Sequence, residues 1–188
     1  MASKVPKHIA VILDGNRRFA KKLMLKPWMG HQWGKEKVEK LIEWCIELGI
    51  KEVTMYAFSV ENFNRPKKVF DYIMKLFRDG CEQLKSDKKL QERSKKLGIK
   101  VRFLGRIGMF PKGVRQLMQE IMEKSASNTG LIVNFCMAYG GRQEIADAAR
   151  KMAGDVEKGV ISPNDVNDET FKRYLYMPDD PDLIIRTG

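Results

Sequence analysis

The chain has 188 residues, 43% hydrophobic and 31% charged, with a formal net charge of +11. That is enough apolar chain for one domain with a sizeable core, and it excludes intrinsic disorder. No apolar run approaches the length of a membrane span, and the run in MASKVPKHIAVIL is too short for a signal peptide, so a cytoplasmic protein is expected.

HIAVIL (8–13) is the first predicted strand, and a helical pattern begins after the polar cluster that ends it. Val38, Leu41, Ile42, Cys45 and Leu48 fall at helical spacing, and Gly49 stops that helix, over roughly 34–48. EVTMYAF (52–58) is the second strand. From Pro66, which suits a first helical turn, the stripe Val69, Phe70, Ile73, Met74, Phe77, Cys81 and Leu84 predicts one long helix over 66–96. Residues 67–100 carry eleven Lys/Arg against five Asp/Glu, six of the eleven net charges, and read as the solvated face of that helix. IKVRFLG (99–105) is the third strand, followed by a helix over 111–126. LIVNFCMAY (131–139) is the fourth, followed by a helix over 142–157 and a short one within 163–176. DLIIRTG (182–188) is the fifth. Strands that alternate with helices imply an α/β fold in a single domain, with a central, mostly parallel sheet flanked by helices.

Cys45, Cys81 and Cys136 form no CxxC pair, so neither a zinc site nor a disulfide framework is indicated; Cys45 and Cys136 read as small core residues. With two histidines in the chain, a His-rich metal site is excluded, and a metal here would be a hard cation on oxygen ligands.

Four predicted strands end in polar clusters: Asp14-Gly15-Asn16-Arg17-Arg18, Ser59-Val60-Glu61-Asn62-Phe63-Asn64-Arg65, Tyr139-Gly140-Gly141-Arg142 and Arg186-Thr187-Gly188. In an open parallel sheet ligands bind beyond the carboxyl ends of the strands, so all four converge on one rim. Arginine forks suit phosphate oxygens, glycines let backbone amides approach an anion, and Asp14 and Glu61 are candidate Mg²⁺ ligands. Singly, each cluster has a plainer reading. Asp14 or Asn16 caps a helix, Tyr139-Gly140-Gly141-Arg142 is a turn, and His31 in MGHQWG is a partly buried histidine. Their coincidence on one edge favours a Mg²⁺-assisted site for phosphorylated ligands. Neither GxxxxGK[ST] nor a GxGxxG after a strand occurs, which disfavours a kinase or a dinucleotide enzyme.

HIAVILDGNRRFAKK, GHQWG, YAFSVENFNRP, NFCMAYGGRQEI and DLIIRTG together resemble the cis-prenyltransferases, the undecaprenyl and dehydrodolichyl diphosphate synthase family, along nearly the whole chain and in order. The DGNRR and ENF forms lean towards archaeal or eukaryotic members. The resemblance implies a Mg²⁺-dependent enzyme that adds isopentenyl diphosphate to an allylic diphosphate, farnesyl or geranylgeranyl. It implies that Asp14 is the catalytic, Mg²⁺-associated carboxylate. Gly15, Asn16, Arg17 and Arg18 would cradle the allylic diphosphate, with His31 on the same group and Phe19 at the start of a hydrophobic path. Ser59, Val60, Glu61, Phe63 and Arg65 would wall the substrate, Asn62 would serve the proton transfer, and Arg186 would hold isopentenyl diphosphate. A hydrophobic tunnel between helices and sheet, a homodimer, a product that associates with membrane and no nucleic-acid partner complete the expectation.

Two departures accompany the resemblance. Many bacterial members have an arginine four residues before the motif histidine, where this chain has Pro27 beside Lys26. The family also continues past RTG with an Arg-x-Ser-Asn-Phe motif and a distal Glu, so a C-terminally truncated chain with weak or absent turnover is expected. The alternatives are a non-catalytic partner subunit, which would tend to lose the Asp-Gly-Asn motif kept here, and a basic nucleic-acid-binding domain, which would want exposed aromatics among its charges. DDPD (179–182) lies between prolines and reads as a loop, not as the helical DDxxD motif of all-helical prenyltransferases.

Overall fold

In the computed structural model, β1 (His8–Ile12), β2 (Glu52–Ser59), β3 (Lys100–Leu104), β4 (Ile132–Tyr139) and β5 (Leu183–Arg186) form one five-stranded sheet in the order β3-β4-β2-β1-β5. Every neighbouring pair is parallel. The structure describes residues 5–24, 26 and 30–187, and for 17, 30–33 and 35 it describes the backbone alone. Between the strands run α1 (Asn16–Lys22), α2 (Gly30–Glu47), α3 (Lys67–Ser86), α4 (Lys88–Lys96), α5 (Lys112–Ser125), α6 (Gly141–Glu157) and α7 (Asp168–Lys172). The expected α/β domain is the one observed.

Alternation along the strands sorts the sheet into two faces. Ile9, Val11, Val53, Met55 and Val133 point one way and pack with Cys45 of α2. The same face continues through Phe58, Phe103 and Met137 onto Met74 of α3 and Val114 and Met118 of α5. The opposite face carries a polar row across three strands. His8 Nε2 lies 2.9 Å from Thr54 Oγ1, and Asn134 Nδ2 donates to the same hydroxyl at 2.9 Å. All three cysteines are buried and form no disulfide, Cys45 and Cys136 as the small core residues expected.

The long helix expected over 66–96 is two helices. Asp87 leaves helical geometry at ψ 103°, and its carboxylate caps the new helix by accepting from Lys89 N at 2.9 Å and Leu90 N at 3.2 Å. An aspartate that satisfies two orphan amides restarts a helix rather than continuing one. The short helix expected within 163–176 is a 3₁₀ turn at Pro163–Asp165, closed by a capping box with Ser162, and then α7 behind an Asn167 cap. DDPD lies in a loop, where Asp182 Oδ2 accepts the amides of Lys7 at 2.7 Å and His8 at 2.9 Å and so fixes the start of β1.

Candidate active site

After Ile12 the chain turns at Gly15 to start α1. Gly15 adopts φ 94°, a left-handed conformation that costs a residue with a Cβ about 1 kcal/mol or more. The turn folds Asp14 back on the helix start, where its Oδ1 accepts the Gly15 N–H at 2.7 Å. Oδ2 accepts from Arg186, Nε at 3.2 Å and Nη2 at 2.8 Å, and Arg18 Nη2 lies 3.5 Å away. Residues far apart in sequence meet because β1 and β5 are parallel neighbours, with Ile12 opposite Arg186. Thr187 fastens the two strand ends: its hydroxyl donates to Asp14 O at 2.8 Å and accepts the Asp14 N–H at 3.1 Å.

The Arg186 guanidinium, the Gly15 amide and the Arg18 charge hold the Asp14 carboxyl below its ordinary value of 3.8. The arginine side chains are 64% and 70% exposed and Asp14 is 36% exposed. Ion pairs this wet add little stability. What the cluster offers instead is chemistry: an ionised carboxylate flanked by two forked cations that reach solvent.

β2 arrives at the same rim through a register break. Tyr56 faces Cys136, Phe58 faces Met137 and Ser59 faces Tyr139, which leaves Ala57 and Ala138 each outside the ladder. Ala138 takes φ 49° while fully buried, a strained geometry that its surroundings must enforce. Beyond the break Ser59 is buried, and the Asn62 carboxamide donates to its hydroxyl from the 3₁₀ turn Val60–Asn64. The backbone of Glu61 and the Ser59 hydroxyl hold the Glu61 carboxyl below its ordinary range. Phe63 packs into an aromatic cluster, its ring centroid 5.1 Å from Phe58, 5.2 Å from Phe110 and 5.6 Å from Phe70.

Behind the rim lies a cavity of about 300 Å³. It starts beside Leu13 and Asn16, runs between α2 and α3 over a floor of Phe103 and Phe135, and ends at Leu84 and Leu90. α1 and α2 meet closely at its entrance: a Cβ on Gly34 would lie 2.9 Å from Asn16 Nδ2. Paired arginines and a carboxylate at one end of an apolar cavity suit a ligand with a phosphorylated head and a hydrocarbon tail.

Comparison with known proteins agrees with that chemistry. Residues 12–188 match the family model described as "Putative undecaprenyl diphosphate synthase". The chain belongs to this family of cis-prenyltransferases. It is 46% identical to the tritrans,polycis-undecaprenyl-diphosphate synthase (geranylgeranyl-diphosphate specific) of Thermococcus kodakarensis, over 100% of this chain and 70% of that protein. It is 39% identical to the dehydrodolichyl diphosphate synthase complex subunit DHDDS of Homo sapiens, over 100% of this chain and 56% of that protein. Among solved structures, lavandulyl diphosphate synthase from Lavandula x intermedia, in complex with dimethylallyl diphosphate, superposes with a TM-score of 0.85 at 32% identity, over 97% of this chain and 77% of that one.

Within this cis-prenyltransferase, the residues singled out in the sequence fall into three groups. Asp14, Arg18 and Arg186 are in direct contact, with Gly15 and Asn16 beside them. Ser59, Val60, Glu61, Asn62, Phe63 and Arg65 form a second group at the end of the adjacent strand, β2. Phe19 is 49% exposed on α1. The backbones of Arg17 and His31 lie in α1 and α2, and their side chains, like Pro27 and Gly188, fall outside the described residues. In the fourth cluster Tyr139 stands opposite Ser59 in the sheet and donates to Glu144 Oε2 of α6 at 2.5 Å, and Arg142 is exposed. Sequence reasoning gave Thr187 and Gly34 no role of their own. RTG and GHQWG both contain the signal, a hydroxyl next to an arginine and a glycine three residues after a histidine.

Proposed function

We propose that this cis-prenyltransferase condenses isopentenyl diphosphate onto geranylgeranyl diphosphate, one isoprene unit at a time, with each new double bond cis. The observation that carries the reading is Asp14 held between Arg18 and Arg186 at the mouth of an apolar cavity. The printed name of the Thermococcus relative supports the choice of primer.

Asp14 fits Mg²⁺: an ionised, partly exposed carboxylate beside phosphate-binding cations is how Mg²⁺ is held when it shares a substrate's phosphates. Among the described residues no cluster of three or more His, Cys, Asp and Glu forms. That suits one carboxylate with shared phosphates rather than an all-protein cage. When bound, the cation offsets the charge of the departing diphosphate.

The allylic C–O bond breaks and its electrons leave with diphosphate. The isopentenyl π electrons form the new bond at the allylic carbon, and a proton lost from the isopentenyl C2 leaves its electrons as the new double bond. Gly15, Asn16, Arg17, Arg18 and His31 hold the allylic diphosphate, and Arg186 holds the isopentenyl diphosphate. Asn62 is too weak a base to take the proton; anchored on Ser59, it places the water or diphosphate oxygen that does. Phe19, Val60, Glu61, Phe63 and Arg65 wall the reacting ends, and the cavity takes the growing tail. The enzyme works in the cytoplasm, as a homodimer, and releases its product to a membrane.

The test is incorporation of labelled isopentenyl diphosphate with geranylgeranyl or farnesyl diphosphate and Mg²⁺, by this chain and by the chain carrying the family's C-terminal motifs. Geranylgeranyl diphosphate is the better primer, and Asp14→Ala lowers turnover on the order of 10²- to 10³-fold. No incorporation by the extended wild type sinks the reading; full activity in Asp14→Ala sinks the role of Asp14 alone.

A further inference from the structure

We infer that the corner between α3 and α4 is a docking surface for an anionic lipid bilayer, placed where the cavity ends far from Asp14. The inference rests on the proposed function in one respect, that the cavity holds a polyprenyl tail. The surface itself is argued from charge and shape.

The cavity wall and the molecular surface share a residue at this corner. Leu84 lines it and is nevertheless 44% exposed, with Gln83 and Leu90 alongside. The chain bends here at Asp87, and the first turn of α4 presents Lys88 and Lys89, both exposed. A helix N-terminus carries a positive partial charge and favours Asp or Glu; Asp87 fills that role as the cap, and no further acidic residue follows it in the first turn. The two lysines add nothing to the charge balance of the helix they begin, which the Asp87 cap already supplies.

Other cations nearby have structural work. Lys85 pairs with Glu120 of α5 at 2.6 Å, and Arg93 pairs with Glu43 of α2 at 2.8 Å. Among the described residues neither Lys88 nor Lys89 forms an ion pair. Lys95 and Lys96 extend the exposed positive surface along α4. The corner thus combines an exposed leucine of the cavity wall with Lys88, Lys89, Lys95 and Lys96, four exposed cations that outnumber the carboxylates among them, Glu82, Asp87 and Glu92, and such an excess suits an anionic membrane surface.

Nucleic acid fits less well. Strand-independent binding uses exposed aromatics as stacking platforms. The aromatics of α3 are not free to serve: Phe70 and Phe77 pack against the core, and Tyr72 is partly buried. Among the described residues no helix is long and apolar enough to cross a membrane, so the contact inferred is peripheral.

The experiment is co-sedimentation of the chain with phosphatidylcholine vesicles, with and without phosphatidylglycerol, at physiological salt. Each lysine near an anionic leaflet contributes roughly fivefold to partitioning, so losing both charges should weaken binding to anionic vesicles about 30-fold, and the reversal Lys88→Glu with Lys89→Glu by at least that. A charge-matched control, Lys112→Glu with Lys158→Glu, should change it less than either single substitution at the corner. Circular dichroism confirms that both pairs fold. Equal losses in the two pairs overturn the inference, as does equal binding to neutral and anionic vesicles. Binding to single-stranded nucleic acid but not to anionic vesicles also overturns it. The vesicle assay contains no isoprenoid substrate, so its failure is separable from a failure of turnover: an inactive chain that docks through Lys88 and Lys89 refutes the proposed function alone.

Discussion

Asp14 carries the densest set of interactions at the rim, and its protonation is directly measurable. Arg186 is the largest influence that lowers its pKa, ahead of the Gly15 amide and the Arg18 charge. A carboxyl with a depressed folded-state pKa contributes stability above its unfolded value and loses it as pH falls through the folded value. For Asp14 that window lies below 3.8, so the residue stays ionised throughout the neutral range. Arg186→Gln removes the leading cause, and the Asp14 carboxyl should then titrate closer to 3.8 in a ¹³C NMR titration. A titration unchanged by the substitution would show that the contact is not formed in solution. The cluster after the first strand was legible in the sequence as a cluster, because four polar residues and a glycine in a row at a strand end have no core role. Its pairing with Arg186 was not, because that contact depends on β5 lying beside β1, and strand order leaves no mark on local sequence.

At the scale of elements, the contact between α1 and α2 shows how a helix can act on the site without touching substrate. Gly34 brings the backbone of α2 against the Asn16 side chain, and an added Cβ would stand 2.9 Å from Nδ2. The neighbour that must give way is the far end of a flexible side chain, so the fold tolerates the change while Asn16 does not keep its place. Gly34→Ala should therefore hold or raise the melting temperature, since alanine in a helix is favoured over glycine by about 0.5–1 kcal/mol. It should raise KM for the allylic diphosphate several-fold, because small misplacements at a site are costly. An unchanged KM would detach Asn16 from that diphosphate. The break at Asp87 was available to sequence reasoning, since an aspartate before two residues whose amides it can cap is a helix start. The apolar stripe that ran up to it, through Cys81 and Leu84, carried the longer reading. The paired bulges at Ala57 and Ala138 had no such signal, because alanine is ordinary in a strand and only the mismatch between two strands reveals them.

Over the whole molecule, a sheet whose strands are all parallel sends every strand end to one rim, and the helix pair α2 and α3 on one face determines what lies behind it. Periodicity marks Met74 and Phe77 as apolar and inward, which is equally true of a packed core and of a channel wall. Both residues line the cavity, and Met74 also belongs to the core. The gap between them and the sheet arises from the relative placement of α2 and α3. If that gap receives the growing tail, its volume sets where elongation stops, and substitutions along it should act on product length rather than on the first condensation. Gly80 lines the cavity midway along α3, beyond the chemistry at Asp14. Gly80→Leu should strengthen the helix while narrowing the channel, so products should shorten with the first-condensation rate nearly unchanged. Leu90→Ala, at the far end, should lengthen them. Chain-length analysis of products made at equal turnover reads both effects. If Gly80→Leu leaves the product distribution where it was, the tail does not pass between α2 and α3.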